Sequence, residues 1–453
     1  MRKHACAFFI ILCLLTAAPL SLGAAPASDE KTKSVSPLEE GLTLWFEGKN
    51  GDAEKIFGGL IRDGSSNPVV YHALAVLIMD GGRDYPRAAR LFNRHRALLA
   101  EHSDDYRAAL PLLDHYAASG SPQALLIRAR INQWGLAPVY DFSRGMIFLR
   151  RAADGGYAQA LRELGNLYEE GTAVVQDLRK ARAYYSAAAL KHDAPAMKDL
   201  AMLLLRTAKG KEAQNAQALR LLRAASDAGL ADAQMTFAKL YSAGLAVKKD
   251  ENEARRWCQR AARSGSAEAM YALGRLYEMG QSVKKSPSTA LEWYQQAAEN
   301  SDANALFRLG VLYYAGQGIA KDHARAYGYF KRAAALGHTT AWYNVGWMNR
   351  AGDGTARNFE EAKKWFVRAA MTGSTEASVN LGMMYANGEG AGADLEEALY
   401  WFELARLSGS KESRQHIEKI TPHLDASAQS RALRRARSTY KRFLAVSPKE
   451  KAL

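Results

Sequence analysis

Hydrophobic and small residues recur along most of this chain with a period of 36 or 37 residues. The repeated pattern starts at positions 158, 194, 231, 267, 303, 339 and 375. Within one period the apolar positions follow helical spacing, as Leu273, Leu276 and Tyr277 do in the unit that starts at Ala267. A period this regular predicts a stack of helical hairpins in which each unit covers the apolar face of its neighbour. The expected fold is therefore an all-α solenoid of antiparallel helix pairs.

Capping residues mark the helix boundaries at fixed positions in the repeat. Gly280 follows the last apolar turn of a first helix, where a left-handed residue is needed, and Ser286 precedes the second helix as an N-cap. A ladder of metal ligands would not exchange carboxylate for serine, so the side chains at this position favour capping. Gln214 breaks the series. The series itself consists of Asp141, Asp177, Asp250, Ser286, Asp322, Asn358 and Asp394.

Small residues occupy the middle of each first helix. They are Gly or Ala at positions 165, 201, 238, 274, 310, 346 and 382. Glycine inside a helix costs about 1 kcal/mol of helix propensity, so its recurrence predicts a close approach of two helix backbones. Alanine pairs such as Ala297-Ala298 predict the same for the second helices, and bulky residues such as Tyr277 and Trp293 are expected to fill the spaces between them.

Together these residues resemble a known repeat. The pattern Gly274-x-x-Tyr277-x-x-Gly280, followed by a capping residue and an alanine–aromatic helix, is similar to the Sel1-like repeat (SLR) family, a branch of the tetratricopeptide-type solenoids. The resemblance covers residues 122–409 in about eight copies. It implies a right-handed superhelical scaffold that mediates protein–protein contacts. Such scaffolds are often exported in bacteria, some for exopolysaccharide assembly or export and others for envelope signalling. No catalytic residue carries over from the resemblance.

The repeat that starts at Ala194 departs most from the pattern. Ala201, Leu204 and Thr207 replace the usual glycine, tyrosine and glycine, and Leu221-Leu222 replaces the aromatic pair. This departure predicts a local change in superhelix pitch. A joint or a docking face is the alternative interpretation.

The sequence divides into five regions, of which four lie outside the repeat array. Residues 1–25 combine a basic start, an apolar run and small residues, which predicts a secretory signal peptide. Residues 26–37 are expected to form a flexible linker, residues 38–120 N-terminal tetratricopeptide-like hairpins, residues 121–410 the repeat array, and residues 411–453 basic capping helices.

Both flanks of the array keep helical spacing. We predict that the C-terminal helix covers the last repeat, and its basic side also fits contact with an anionic membrane surface. Its apolar residues are Leu433, Tyr440, Phe443 and Leu444. The predicted helices are Leu38–Gly48, Asp52–Arg62, Val69–Met79, Pro86–Leu99, Asp104–Ser119 and Ala426–Leu444, with Gly51 at the first turn.

The formal net charge is +14, but half of the excess charge lies near the C-terminus. Residues 411–453 carry 11 basic and 4 acidic side chains, so the repeat body is only mildly basic. That distribution argues against a groove built for a polyanion, and we expect no nucleic-acid partner. Cys258, the one cysteine outside the predicted signal peptide, is expected to be a small buried apolar residue.

Motifs of common enzyme classes are absent from the sequence. It contains no phosphate-binding Gly-x-x-x-x-Gly-Lys loop, no Gly-x-Ser-x-Gly elbow and no His-Glu-x-x-His pair. The ten histidines are scattered, and the seven-residue spacing of His95 and His102 is only a weak indication of metal binding. The chain is therefore expected to be no enzyme and to use no cofactor or metal.

A stripe on the first helices supplies the candidate binding residues. Positions −3, +1 and +4 relative to the mid-helix small residue share one helix face, and in the later repeats this face turns from charged to aromatic. Aromatic clusters edged by arginine are typical of protein-binding surfaces. The alternative is that the −3 residues are partly buried between repeats, so Trp347 is the strongest candidate. The full set is Tyr271, Arg275, Phe307, Val311, Tyr314, Tyr343, Trp347, Arg350 and Met383.

These features favour an exported, periplasmic or secreted adaptor that binds other envelope proteins through the concave face of the solenoid. The leading hypothesis is a role in cell-envelope assembly such as exopolysaccharide biosynthesis or secretion. A periplasmic regulator of envelope signalling and a solenoid that binds polysaccharide directly are the alternatives.

Overall fold

The computed structural model describes residues 36–446 apart from 82–83, 85–86, 89–90, 92–93, 96–97, 99–103, 135–140 and 209–211. Within these ranges the chain forms 22 α-helices and no β-strand, which confirms the all-α class. None of those helices combines the length and the apolar character needed to cross a membrane. The predicted signal peptide and nearly all of the predicted linker lie outside the described residues.

Eight helix pairs form the array within the described part of the chain. We number the repeats 1 to 8 and name the two helices of each repeat A and B. Each A helix packs against its own B helix, and each B helix packs against the next A helix, so the predicted solenoid of antiparallel pairs is confirmed. The A helices are Pro122–Trp134, Ala158–Glu170, Ala194–Thr207, Ala231–Ala243, Ala267–Met279, Ala303–Ala315, Thr339–Ala351 and Thr375–Asn387. The B helices are Phe142–Asp154, Leu178–Ala189, Glu212–Asp227, Glu251–Arg263, Pro287–Glu299, His323–Ala335, Phe359–Ala370 and Leu395–Leu407.

The N-terminal hairpins differ slightly from the predicted boundaries. Gly51 lies inside a helix rather than at the first turn, because Gly48 takes the left-handed conformation with φ of 81° and ends the preceding helix earlier. Most of the helix predicted at Pro86–Leu99 falls outside the described residues. The observed helices are Pro37–Phe46, Asn50–Arg62, Pro68–Asp80 and Asp104–Ala118.

Side-chain caps hold the start of the B helices as predicted. The Asp250 carboxylate accepts hydrogen bonds from the backbone N–H groups of residues 252 and 253, and the six other predicted caps make equivalent bonds. Repeat 3 uses a different arrangement. Its B helix already starts at Glu212, and the Gln214 amide donates to the Leu204 carbonyl (3.2 Å) and the Thr207 hydroxyl (2.9 Å).

The mid-helix glycines lie against an aromatic ring of the B helix rather than against its backbone, which corrects the predicted contact. A Cβ atom built on Gly310 would lie 2.6 Å from the Phe330 ring. The glycine–ring pairs are Gly165–Tyr185, Gly274–Tyr294, Gly310–Phe330, Gly346–Phe366 and Gly382–Phe402. The three repeats with alanine at this position carry a smaller buried residue at the corresponding place in the B helix, so ring and glycine occur together. These residues are Ala129 with Leu149, Ala201 with Leu222 and Ala238 with Cys258.

Left-handed residues turn the chain between consecutive repeats and at both ends of the array. Glycine occupies this position at 120, 156, 229, 265, 337, 373 and 409, each with positive φ. His192 and Ser301 take the same conformation, with φ of 62° and 61°, although they carry a Cβ atom. An L-residue in this region loses about 1–2 kcal/mol to steric conflict, so these two junctions are strained.

A polar contact joins the N-terminal hairpins to the array. The carboxylate of Asp80, at the end of the third helix, accepts hydrogen bonds from the Tyr157 hydroxyl (2.6 Å) and the Gln159 amide (2.9 Å) of repeat 2. Burial raises the pKa of Asp80 to about 6 despite those hydrogen bonds.

The chain after repeat 8 covers the end of the solenoid with Ser413–Ile420, a 3₁₀ turn at Thr421–His423 and the helix Ala426–Val446. Small residues form the buried seam of this last helix: Ala428, Ala432, Ala436 and Thr439. Of the four apolar residues predicted to face the repeat, three are half-buried, but Leu444 is 56% exposed. Only small side chains fit the close contact with the last B helix, which places the large ones at the edge of the interface.

The glycine–ring contact predicts opposite effects for two glycine-to-alanine changes in repeat 6. Gly310→Ala forces a Cβ atom into the Phe330 ring and should lower the free energy of unfolding by about 1–2 kcal/mol. Gly328→Ala, in the B helix, meets nothing within 4 Å and should raise it by up to about 1 kcal/mol through helix propensity. Adding Phe330→Leu to Gly310→Ala should recover part of the loss. Urea unfolding monitored by circular dichroism checks all three, and equal effects of the two alanines would contradict the contact.

The strained junction at Ser301 predicts that Ser301→Gly stabilises the protein by up to about 1 kcal/mol, because glycine adopts positive φ without steric conflict. The reverse change at the equivalent position, Gly337→Ser, should destabilise by a similar amount, since space around Gly337 is open and only the backbone conformation is tested. Thermal melting midpoints of both variants should therefore move in opposite directions from the wild-type value.

Candidate functional site

The −3 residues of repeats 5 to 7 lean on the aromatic ring of their own B helix. The ring centroids of Tyr271 and Tyr294 lie 5.6 Å apart, and the Phe307–Phe330 and Tyr343–Phe366 distances are 5.5 and 5.8 Å. These three −3 side chains are half-buried. This column therefore contributes to packing within its own repeat, whereas the alternative interpretation of the sequence placed it between neighbouring repeats.

A pocket of about 280 Å³ opens between the A helices of repeats 6 and 7. Its walls come from predicted positions: Val311 and Tyr314 on one helix, Tyr343 and Trp347 on the next. Phe330, which also contacts Gly310, forms part of its lining, so the helix-spacing contact and the pocket share a ring. The remaining lining residues are Ala315, Asn344 and Met348.

Trp347 separates this apolar pocket from a more polar one. The indole is 36% exposed and lies edge-on to Tyr314, with ring centroids 6.2 Å apart. On its other side is a second pocket of about 340 Å³, also lined by Arg350, Arg357 and Glu389. We call the two pockets and the indole between them the Trp347 groove. Ala351 and Phe359 complete its lining.

Arg350 is held in place by repeat 8 and is not a free cation. Its guanidinium donates to both carboxylate oxygens of Glu389 at 2.7 Å and to the Asn380 amide oxygen at 2.7 Å. The hydrogen bonds from Arg350 lower the pKa of Glu389. This pairing fixes one wall of the second pocket, whereas Arg357 on the same pocket is exposed.

The other predicted residues lie away from the Trp347 groove. Arg275 is exposed on repeat 5, and Met383 is half-buried on repeat 8, but neither lines the two pockets. In repeat 5 the +4 residue, Glu278, is occupied by structural bonds from the Tyr294 hydroxyl (2.6 Å) and from Arg308. The structure thus brings together the center of the predicted stripe, from Val311 to Arg350, and separates its ends.

Sequence reasoning missed the two polar residues that support Tyr314. The Tyr314 ring stacks on His323 of the same repeat, with centroids 4.5 Å apart, and its hydroxyl donates to the Asp353 carboxylate at 3.2 Å. Asp353 also pairs with Nδ1 of His323. Asp353 comes from the loop of repeat 7, 30 residues after His323, so no pattern within one repeat connects the two.

Phe307 is stabilised by a histidine that also caps a helix. The His338 ring stacks on Phe307 with centroids 4.3 Å apart, and its Nδ1 accepts a hydrogen bond from the backbone N–H of Ala341 at 3.2 Å. Burial lowers the pKa of His338, which keeps Nδ1 available as an acceptor at neutral pH.

Reactive groups are not assembled here. The described residues contain no cluster of three or more His, Cys, Asp or Glu side chains that could hold a metal ion. Cys258 is buried against the carbonyl of Ala269, and burial raises the pKa of its thiol to about 12. What the groove offers is an apolar surface with fixed polar edges, which suits binding.

The model of the Sel1 repeat family matches eight segments of this chain. The matched segments are residues 122–157, 158–193, 194–230, 231–266, 267–302, 303–338, 341–374 and 375–410. The chain belongs to the Sel1 repeat family. Sel1 repeat proteins mediate protein–protein interactions, and their solenoids are typically non-catalytic scaffolds. The predicted family and the repeat count are therefore confirmed.

Several solved structures are similar to these Sel1 repeats. A Sel1 repeat protein from Oxalobacter formigenes is 28% identical, over 69% of this chain and 90% of that chain, with a TM-score of 0.47. A protective antigen of uropathogenic Escherichia coli displaying an SLR fold is 23% identical over 92% of this chain and 94% of its own, with a TM-score of 0.39. An immunity protein from Pseudomonas aeruginosa is 20% identical over 57% and 81%, with a TM-score of 0.31. The search of curated proteins finds no match.

The His338 cap predicts a pH-dependent contribution to stability. Because burial lowers its pKa in the folded state, the unfolded chain binds the proton more tightly, and stability should fall as the pH drops below about 6.5. In the variant His338→Asn the cap oxygen does not titrate, so stability should decline less between neutral and mildly acidic pH. Urea midpoints across that range measure the effect.

The control for this prediction is His416→Asn. The His416 ring also stacks on an aromatic residue, Phe402, with centroids 4.8 Å apart, but it caps no described helix. Two outcomes would show that the cap is not the titrating contact. Stability could fall with decreasing pH as steeply in His338→Asn as in the wild type, or His416→Asn could reduce the pH dependence of stability as much as His338→Asn does.

Proposed function

We propose that this Sel1 repeat protein is an exported scaffold that binds a segment of a partner protein in the Trp347 groove. The observation that carries the proposal is the solvent-exposed Trp347 indole beside an apolar pocket between two A helices. Tryptophan in a concave apolar site is a frequent energetic center of protein interfaces. The pocket of about 280 Å³ is lined mainly by apolar side chains, which suits an apolar side chain of the partner.

The walls of the groove are already positioned in the unbound chain, which supports binding. Tyr314 is fixed by His323 and Asp353, and Arg350 is fixed by Glu389 and Asn380. Side chains that are ordered before binding lose less conformational entropy when the partner arrives. The groove therefore has the character of a preformed site.

The proposed setting is the cell envelope. The basic start, apolar run and small residues of positions 1–25 support export through a signal peptide. In that compartment the scaffold would serve envelope assembly, such as exopolysaccharide biosynthesis or secretion. Regulation of envelope signalling is the rival role, and the same groove would serve either one.

A glycan is the second candidate occupant, favoured by one observation. The exposed face of Trp347 stands next to the Arg350–Glu389 pair and the exposed Arg357. An aromatic ring beside fixed hydrogen-bonding groups can stack on a sugar ring and bind its hydroxyls. Two observations favour a protein segment instead. Trp347 lies edge-on to Tyr314, and the first pocket beside it has an apolar lining.

Replacing Trp347 by alanine tests the proposed function. The wild-type protein is used to capture partners from envelope extracts, and the binding of each purified partner is then measured. Trp347→Ala should weaken that binding by about 30-fold or more, as expected for a central interface residue. Met202→Ala is the matched control, because Met202 is an exposed apolar residue at the same +1 position in repeat 3.

Thermal melting of both variants is measured as well, and binding is compared at a temperature at which each variant is fully folded. Partner binding that survives Trp347→Ala, or that falls equally in Met202→Ala, would reject the Trp347 groove as the site. Loss of binding to envelope polysaccharide, with protein binding intact, would favour the glycan-binding role.

A further inference from the structure

The C-terminal helix Ala426–Val446 carries six basic residues and no acidic residue. The structure divides these cations into groups with different contacts. Arg431 and Arg435 face the last repeat, where they donate to the carboxylates of Glu396 and Glu397 at 2.6 to 3.2 Å. The Arg435 guanidinium also lies over the Tyr400 ring, 4.5 Å from its centroid. These two arginines attach the helix to the solenoid, and repeat 8 supplies one carboxylate for each.

The remaining cations point away from the solenoid. Arg434, Arg437 and Lys441 are exposed and make no ion pair with any described residue. Their spacing of three and four residues places them on one side of the helix, opposite the buried seam of Ala432 and Ala436. They span eight residues, which is about 10 Å along the helix axis. Arg442 is also exposed and donates to the Thr439 hydroxyl at 3.3 Å.

Apolar side chains accompany this cationic stripe. Leu444 is 56% exposed at the end of the helix, and Leu433 and Phe443 are half-buried, with Phe443 packed against the core of the last repeats. A single helix with cations along one side and apolar residues beside them is typical of segments that lie on anionic bilayers. Polyanion sites that track a chain use a groove instead, and this helix presents a convex surface.

We propose that the stripe formed by Arg434, Arg437 and Lys441 docks the end of the solenoid onto a bilayer surface rich in anionic phospholipid. Leu444 enters the headgroup region beside the stripe. The helix keeps its contact with repeat 8, because the docking uses cations that the contact does not need. This inference is independent of the Trp347 groove, because no residue of the stripe lines either pocket of the groove.

Each cation near an anionic lipid surface strengthens binding by about fivefold. The set of three therefore predicts about a 100-fold effect, and salt at about 0.5 M should abolish most of the binding by screening. Binding through four or fewer cations is modest in strength, so it would orient the scaffold at the membrane and would not anchor it permanently.

Vesicle cosedimentation tests the proposal on residues 26–453, which omit the predicted signal peptide because its apolar run would itself bind lipid. The vesicles contain either phosphatidylcholine alone or phosphatidylcholine with about 30% phosphatidylglycerol. The protein should bind only the anionic vesicles. The combined variant Arg434→Gln, Arg437→Gln and Lys441→Gln should bind them about 100-fold more weakly, with an unchanged melting midpoint.

A variant with the same change in net charge is the control. Lys248→Gln, Lys284→Gln and Lys285→Gln remove three exposed cations from loops of the array and should reduce binding far less. Equal losses in the two triple variants would show a general charge effect and overturn the proposal. The absence of binding to anionic vesicles would do the same, and so would binding to soluble polyphosphate through the stripe without vesicle binding.

Discussion

An aromatic ring on the B helix, lying against a glycine of the A helix, sets the distance between the two helices in five of the eight repeats. The contact leaves no room for a Cβ atom, and helix interiors lose propensity for each glycine they contain. Burial of a complete ring offsets that loss, since Tyr185, Tyr294, Phe366 and Phe402 are all at most 1% exposed and Phe330 only 3%. The rest of the architecture is built around this spacing. The −3 residue of repeats 5 to 7 leans on the same ring. The +1 residue of repeat 7, Trp347, is exposed.

The Trp347 groove follows from that arrangement. Phe330 contacts Gly310 on one side and lines the apolar pocket on the other, so the binding surface is continuous with the core. The polar supports come from further away. Asp353 and Glu389 belong to loops of the next repeats, and left-handed residues such as Gly354 let those loops pass close to the preceding B helix. Binding residues on the A helices therefore depend on neighbours that follow them by about one repeat.

The sequence was sufficient to predict the features that are set within one repeat. Helix periodicity, the N-cap series from Asp141 to Asp394 and the eight-copy family resemblance all have local physical causes, and the structure or the family match confirms each. Contacts that join different repeats were not accessible in the same way. The Asp353–His323 pair, the Asp80–Tyr157 bond and the fixing of Arg350 by Glu389 depend on side chains that only the superhelix brings together. The sequence predicted that the mid-helix glycine lies against the backbone of a neighbouring helix, but it lies against an aromatic ring. Residue spacing alone does not tell which part of the neighbouring helix fills the gap.

The pairing of glycine with a ring also limits how a repeat can change over evolutionary time. Conversion of an aromatic repeat into the alanine type seen at Ala201–Leu222 needs two substitutions. A smaller side chain opposite glycine leaves a void, which the surrounding helices can partly fill by relaxing. Alanine introduced first meets a rigid ring that has nowhere to move. During evolution the aromatic residue should therefore be replaced by a smaller one before the glycine is replaced by alanine. The two substitutions are expected in that order and not merely together.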